Sequence, residues 1–283
     1  MFGNRKGQVE AGPVNSTLKW GLGAVLLVAL FGVAIHNKRY VRAAPPPEGH
    51  NAVVVELFTS EGCSSCPPAD KLLAEMEREQ PFANAEVIAL EEHVDYWNKL
   101  GWTDPFSSDS ATVRQYAYVG VIGDGNAYTP QMVVDGQEEF VGSREQTARN
   151  VIERAGARKK AEVSVSVEET GLEGEALLRI RVGRLPEVRP GDKAEVWLAV
   201  TETGLHSDVE RGENAGEVLY HAAVVRKLHK VGTATTAGES AFDSEEMVVR
   251  DSAWRAENLH VVAFVQEQKS KRILGARSVS FEH

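Results

Sequence analysis

Residues 52–68 read Ala52-Val53-Val54-Val55-Glu56-Leu57-Phe58-Thr59-Ser60-Glu61-Gly62-Cys63-Ser64-Ser65-Cys66-Pro67-Pro68. The run from Ala52 to Phe58 is apolar at nearly every position, the signature of a short strand buried on both faces. Beyond the prolines, Ala69, Leu72, Leu73 and Met76 recur at spacings of three and four, with Asp70, Lys71, Glu75, Glu77 and Arg78 between them, which is an amphipathic helix. The cysteines therefore occupy a strand-to-helix turn. Pro67 and Pro68 lack an N–H and fit only a first helical turn, so the helix is expected to begin at Pro67, with Cys63 in the loop before it. Pro67 also disfavours helical backbone at Cys66.

Cys63 and Cys66 are the 2 cysteines of the chain. A bridge between residues three apart closes a tiny loop and removes little entropy from the unfolded chain, so a structural staple is a weak reading. At a helix N-terminus, unpaired N–H groups and the helix dipole favour thiolate over thiol, and the thiolate is both nucleophile and soft-metal ligand. A mixed disulfide formed at Cys63 can then be resolved by Cys66. Three readings stay open: a redox-active dithiol, a Cu(I) site using both sulfurs, and an inert disulfide. Glu61 and Asp70 flank the pair and are expected to face solvent, because inward-pointing acids would oppose thiolate formation.

Further along, Ala85 to Leu90 is a second apolar strand, Gln131 to Val134 a third, and Glu139 to Val141 a fourth after the Asp135-Gly136 turn. Arg144 to Arg158 is a helical stretch. If the second strand lies parallel to the first, His93 and Asp95 fall at the edge where open sheets gather ligands. His93 then reads as a proton shuttle or metal ligand oriented by Asp95, or both simply hold loop backbone. Trp97, Trp102 and Phe106 read as packing or as an apolar rim for a peptide. Gly120, Gly123 and Gly125 lack the strand-to-helix setting of a phosphate cradle.

The order of strand, Cys63-Ser64-Ser65-Cys66 and helix, with Tyr128-Thr129-Pro130 opening a later strand, resembles the active-site corner of the thioredoxin superfamily. More narrowly, VVELFTSEGCSSCPPAD at 54–70, HVDYWNKLGWTDPF at 93–106, YTPQMVVDG at 128–136 and Gly212-Glu213-Asn214-Ala215-Gly216 resemble DUF1223, secreted bacterial proteins described as thioredoxin-like and without an established reaction. The resemblance implies a thioredoxin-like fold, Cys63 and Cys66 as catalytic residues, a cis Pro130 facing them, and Thr129, His93, Asp95 and Trp97 in support. Gly62 departs from the aromatic residue that often precedes the first cysteine in thioredoxins.

From Ala161 the apolar period changes to two: Val163, Val165, Val167; Leu178, Ile180, Val182; Val196, Leu198, Val200; then 222–228, 246–249 and 259–266. Such alternation marks half-buried antiparallel strands. The expected fold class is thus an α/β thioredoxin-like domain over 51–158 followed by an all-β, sandwich-like domain over 161–283. His206, His221, His229 and His260 are scattered and read as surface or satisfied core residues.

The first 44 residues stand apart. Arg5, Lys6 and Lys19 precede an uncharged apolar run from Trp20 to Ile35, followed by Lys38, Arg39, Arg42, Ala43 and Ala44. At roughly 1.5 Å per residue the run reaches about 24 Å, short of a ~30 Å hydrocarbon core. It reads as a cleaved secretory signal with Val41 and Ala43 before the cut, or as a retained anchor with blurred charge flanks. Residues 45–50 form a Pro-rich linker. Either reading places the body outside the cytoplasm, periplasmic or otherwise extracytoplasmic, secreted or held at the inner membrane. A net charge of −10 argues against a nucleic-acid binder. The expected partners are protein or small-molecule thiols and disulfides, with no cofactor, and with a membrane only through the N-terminal segment.

Overall fold

The structure, a computed structural model, describes residues 40–42, 50–172 and 174–281. Lys38–His283 is one compact unit by its internal contacts. The elements are β1 (Tyr40–Arg42), β2 (Asn51–Thr59), α1 (Pro67–Glu79), β3 (Ala85–His93), α2 (Asp109–Val119), β4 (Gln131–Val134), β5 (Glu138–Val141) and α3 (Glu145–Gly156). There follow β6 (Val163–Glu169), β7 (Glu175–Gly183), β8 (Ala194–Glu202), β9 (Leu205–Asp208), β10 (Val218–His221), β11 (Val224–Ala234), β12 (Ser240–Val249), β13 (Leu259–Glu267) and β14 (Ile273–Ser280).

β2 is the central strand that its composition predicts. Val53, Val55 and Leu57 pack on one face against Leu72, Leu73 and Met76 of α1 and Val151 and Ile152 of α3. Ala52 and Val54 pack on the other face against Ile88, Leu90, Val262, Phe264 and Ile273. β3 runs parallel to β2 from Asn51↔Ala85 to Thr59↔His93, and β4 runs antiparallel on its other side, Val55 opposite Val134. The parallel register brings Thr59 and His93, the last residues of both strands, to the same edge as the cysteine turn.

The expected pairing of an α/β thioredoxin-like unit with a separate sandwich is overturned. Among the described residues there are three α-helices, and strand far outweighs helix. One mixed eight-stranded sheet, ordered β14-β13-β8-β11-β3-β2-β4-β5, takes strands from both halves of the sequence. The joint is short: Val224 pairs parallel with Glu91, and Glu91 N–H donates to Ala223 O at 2.9 Å. β11 thereby joins the C-terminal end of β3 through this one pair and runs on beside β8. Local periodicity reports that a segment is a strand and which face it buries, but not its neighbour.

The second half does bury two sheets face to face. Val165, Val167, Leu178 and Ile180 of the sheet β1-β6-β7-β12 meet Val196, Leu198, Val261 and Ala263 of the eight-stranded sheet. The larger sheet also curls, so that β13 and β14 pack back against β2 and β3. There Asp135 fixes the approach: its Oδ1 accepts from Val54 N–H at 3.2 Å and its carbonyl from Ile273 N–H at 2.9 Å.

Tyr40–Arg42, at the end of the segment read as a signal or anchor, pair antiparallel with β6. The rest of that segment and residues 45–49 of the linker lie outside the described residues. Among the described residues no helix is long and apolar enough to cross a membrane.

Candidate functional site

α1 starts at Pro67, as the two prolines require, and Cys66 is its N-cap residue. Cys66 nevertheless adopts helical backbone, φ −79° and ψ −41°, against the usual effect of a following proline. A turn holds it there: Cys63 N–H donates to Ser60 O and Cys66 N–H to Cys63 O, both at 3.1 Å, and Cys66 O accepts from Ala69 and Asp70. Cys63 and Cys66 are bonded as a disulfide with their Cα atoms 5.5 Å apart. In this oxidised form they offer no thiolate to a metal. Both are fully buried while Ser64 and Ser65 between them are exposed.

The other residues singled out in the sequence divide into two groups. The Thr129–Pro130 bond is cis, and Trp97 Nε1 donates to Thr129 Oγ1 at 2.9 Å. A Cβ at Gly62 would come within 3.1 Å of Trp97 Cβ, so glycine beside Cys63 is what lets the indole lie against the turn. A Cβ at Gly142 would strike Ala69 Cβ at 3.1 Å and meet Pro130 Cβ at 3.4 Å, which places Pro130 close to the first turn of α1. Trp97 thus lies beside the cysteine turn and is tied to Thr129, while Pro130 lies near Ala69 of α1.

His93 joins a different group, and its orienting carboxylate is not Asp95. Asp95 is bound to α2: Thr112 Oγ1 donates to Asp95 Oδ1 at 2.6 Å and accepts from Asp95 N–H at 3.1 Å. His93 Nδ1 instead meets Asp104 Oδ2 at 2.8 Å. Its Nε2 lies 3.4 Å from Glu91 Oε1, and the same oxygen is 2.8 Å from Nδ1 of His221. His221 Nε2 is 3.1 Å from Glu61 Oε1. Trp102 Nε1 donates to Glu61 Oε2 at 2.7 Å, and the backbone N–H of Glu61 donates to Asp104 Oδ2 at 2.9 Å. Glu61, Glu91, His93, Asp104 and His221 are all buried.

Burial would by itself depress the pKa of both imidazoles. It is outweighed for His93, held well above its usual value by the charge and hydrogen bond of Asp104 and by the adjacent Glu91 carboxylate. For His221 the charge of Glu91 and hydrogen bonds from Glu61 and Glu91 raise it to about 9. Burial would raise the carboxyls, yet His221 and His93 hold Glu91 below the usual range, and His93 with two backbone N–H groups does the same for Asp104.

Glu61 and Asp70, read as solvated, both lie inside. Thr59 Oγ1 donates to Asp70 Oδ1 at 2.6 Å. Burial, reinforced by the charge of Glu91, lifts the Asp70 pKa to about 7.

A loop from the far half of the chain closes over this turn. Asn214, buried, donates through Nδ2 to Glu61 O at 2.8 Å and Cys63 O at 3.1 Å. Glu213 Oε2 accepts from Ser64 N–H at 3.0 Å and Ser64 Oγ at 2.7 Å. Gly212 has φ +86° and lies where a Cβ would come within 3.2 Å of Trp102 Cβ. The stretch Gly212 to Gly216, part of the resemblance to DUF1223, is thus the loop that docks on the cysteine turn.

The sequence matches the family described as "Protein of unknown function (DUF1223)" over residues 54–266. No curated protein matches it. Among solved structures it is similar to protein AGR_C_4864 from Agrobacterium tumefaciens, 27% identical, with 84% of this chain and 97% of that one covered and a TM-score of 0.61. HBP35 of Porphyromonas gingivalis, 17% identical, shares the fold at a TM-score of 0.61 over 82% of this chain and 75% of its own. With three quarters of its length matched by the family, the chain belongs to DUF1223.

Proposed function

We propose that this protein carries out thiol–disulfide exchange through Cys63 and Cys66 in an extracytoplasmic compartment. One observation carries the reading: a disulfide between residues three apart, at the head of a helix, under a loop that hydrogen-bonds to its turn. Such a bridge does little for stability. Its position suits an exchangeable one, because α1 presents the positive end of its dipole to a departing thiolate.

In the oxidised state the step is as follows. With the loop displaced, a substrate thiolate bonds to Cys63 Sγ, the Cys63–Cys66 bond breaks, and Cys66 leaves as thiolate at the N-cap of α1. A second thiol of the substrate attacks the mixed disulfide, releasing Cys63 as thiolate. The substrate ends as a disulfide, and both cysteines take up protons. The reverse sequence reduces a substrate disulfide. The export reading is supported by the basic and apolar N-terminal sequence.

The test is equilibration of the purified protein with glutathione redox buffers, with thiols alkylated and counted. A defined midpoint potential and a Cys66→Ser variant that accumulates mixed disulfide at Cys63 are expected. A bridge that stays closed across the physiological glutathione range, with no adduct in the variant, would leave it a fixed structural link.

A further inference from the structure

We propose that Glu91, His93 and His221 form a binding site for one divalent first-row transition-metal ion of the zinc class, through Glu91 Oε1, His93 Nε2 and His221 Nδ1. The three atoms lie within 4.8 Å of one another. Glu91 Oε1 is 3.4 Å from the first nitrogen and 2.8 Å from the second. Bonds of about 2.0–2.2 Å in tetrahedral array separate donors by roughly 3.3–3.5 Å, so modest side-chain adjustment seats an ion. Two imidazoles with one carboxylate match zinc and its neighbours rather than calcium or magnesium.

The surroundings are those of a built site. A metal-binding imidazole needs its other nitrogen protonated and held, most often by a carboxylate. His93 Nδ1 has Asp104 Oδ2 at 2.8 Å, and His221 Nε2 has Glu61 Oε1 at 3.1 Å. Those carboxylates are fixed in turn, Asp104 by the N–H groups of Glu61 and Phe106, and Glu61 by Trp102. Glu91 Oε2 accepts from Ala222 N–H at 2.9 Å, which leaves Oε1 directed at the two rings. The rings stack edge to face, centroids 4.6 Å apart, with Phe106 closing one side at 5.5 and 5.4 Å.

An independent sign of a missing partner is His93 Nε2. It is wholly enclosed and makes no hydrogen bond, its contact with Glu91 Oε1 standing at 3.4 Å. A network complete in itself would pair this nitrogen. The site ties β3 to the end of β10 and, through Glu61, to the cysteine turn. It needs neither sulfur and is independent of the proposed exchange chemistry.

The test uses the full oxidised chain, purified from zinc-supplemented medium, and the same chain refolded with Zn2+ or Co2+ after chelation. One metal per chain is expected by elemental analysis, with a visible Co2+ spectrum of low-symmetry coordination, and it should survive in the Cys63→Ser, Cys66→Ser double variant. Asp104→Asn should weaken affinity by about 10–100-fold, as loss of an orienting carboxylate does, and His93→Gln with His221→Gln should abolish binding. Because those variants could misfold, anomalous diffraction from wild-type crystals grown with Zn2+ locates the ion directly. No stoichiometric metal by either route, binding that depends on the cysteines, or an ion elsewhere would each overturn the site. A failed redox test with metal bound would count against the exchange reading alone.

Discussion

Asp70 lies one helical turn beyond Cys66, its N–H bonded to Cys66 O at 3.2 Å and its carboxyl buried against Thr59. Burial and the nearby Glu91 carboxylate raise its pKa from 3.8 to about 7, while His221, Thr59 and His93 oppose the rise. The folded protein therefore keeps a proton that the unfolded chain has already released. The resulting stability is complete below the unfolded pKa, declines as pH rises, and is gone above about 7. At about 1.4 kcal/mol per pKa unit the contribution has a ceiling of ~4 kcal/mol. Asparagine keeps the acceptor for Thr59 without the charge. Asp70→Asn should gain about 1–3 kcal/mol on the parent between pH 5 and pH 8.5 in urea unfolding; parallel curves for the two proteins would remove Asp70 from this account.

At the scale of elements, the loop around Asn214 is the piece on which exchange depends. Its two side-chain bonds to Glu61 O and Cys63 O are each worth about 0.5–1.5 kcal/mol net, and about 1.4 kcal/mol is tenfold in a population. Asn214→Ala should therefore open the turn about tenfold more often and speed reduction of the bridge by a small thiol to match, read by quenched alkylation. An unchanged rate would mean that another element limits access. The cysteine turn itself was legible because strand, turn and apolar stripe follow one another within about 25 residues. What the sequence hid is non-local: Glu61 meets His221 across 160 positions, and nothing near either residue announces the other. α2 was missed for another reason. It docks through Arg114 and Tyr118 on Glu56 and through Gln115 on Gln131, a polar face that apolar periodicity does not register. Asp95 was assigned to His93 by nearness in sequence, whereas the turn after it carries Asp104 back to the imidazole.

Across the whole molecule, the two halves share a sheet, a curled core and a buried ionic cluster, and these three make different demands on a shortened chain. A fragment ending at Arg158 would lose β11 from the edge of β3, expose Val54, Ile88 and Leu90, and remove Lys160 from Asp135, a buried pair at 2.5 Å. It would also strip His221 from Glu61 and Glu91. Removing one partner of a buried ion pair costs about 3–5 kcal/mol, and a domain holds only about 5–15 kcal/mol in total. The exposed apolar face adds to the loss on the order of 25 cal/mol for each Å². Residues 50–158 expressed alone should therefore lack a cooperative thermal transition and yield quickly to protease, while the full chain unfolds in a single transition by circular dichroism and by Trp fluorescence. A fragment that melts sharply and resists digestion would show that α1, α3 and β2 to β5 carry their own stability, with the β8–β11–β13–β14 arm only an addition to it.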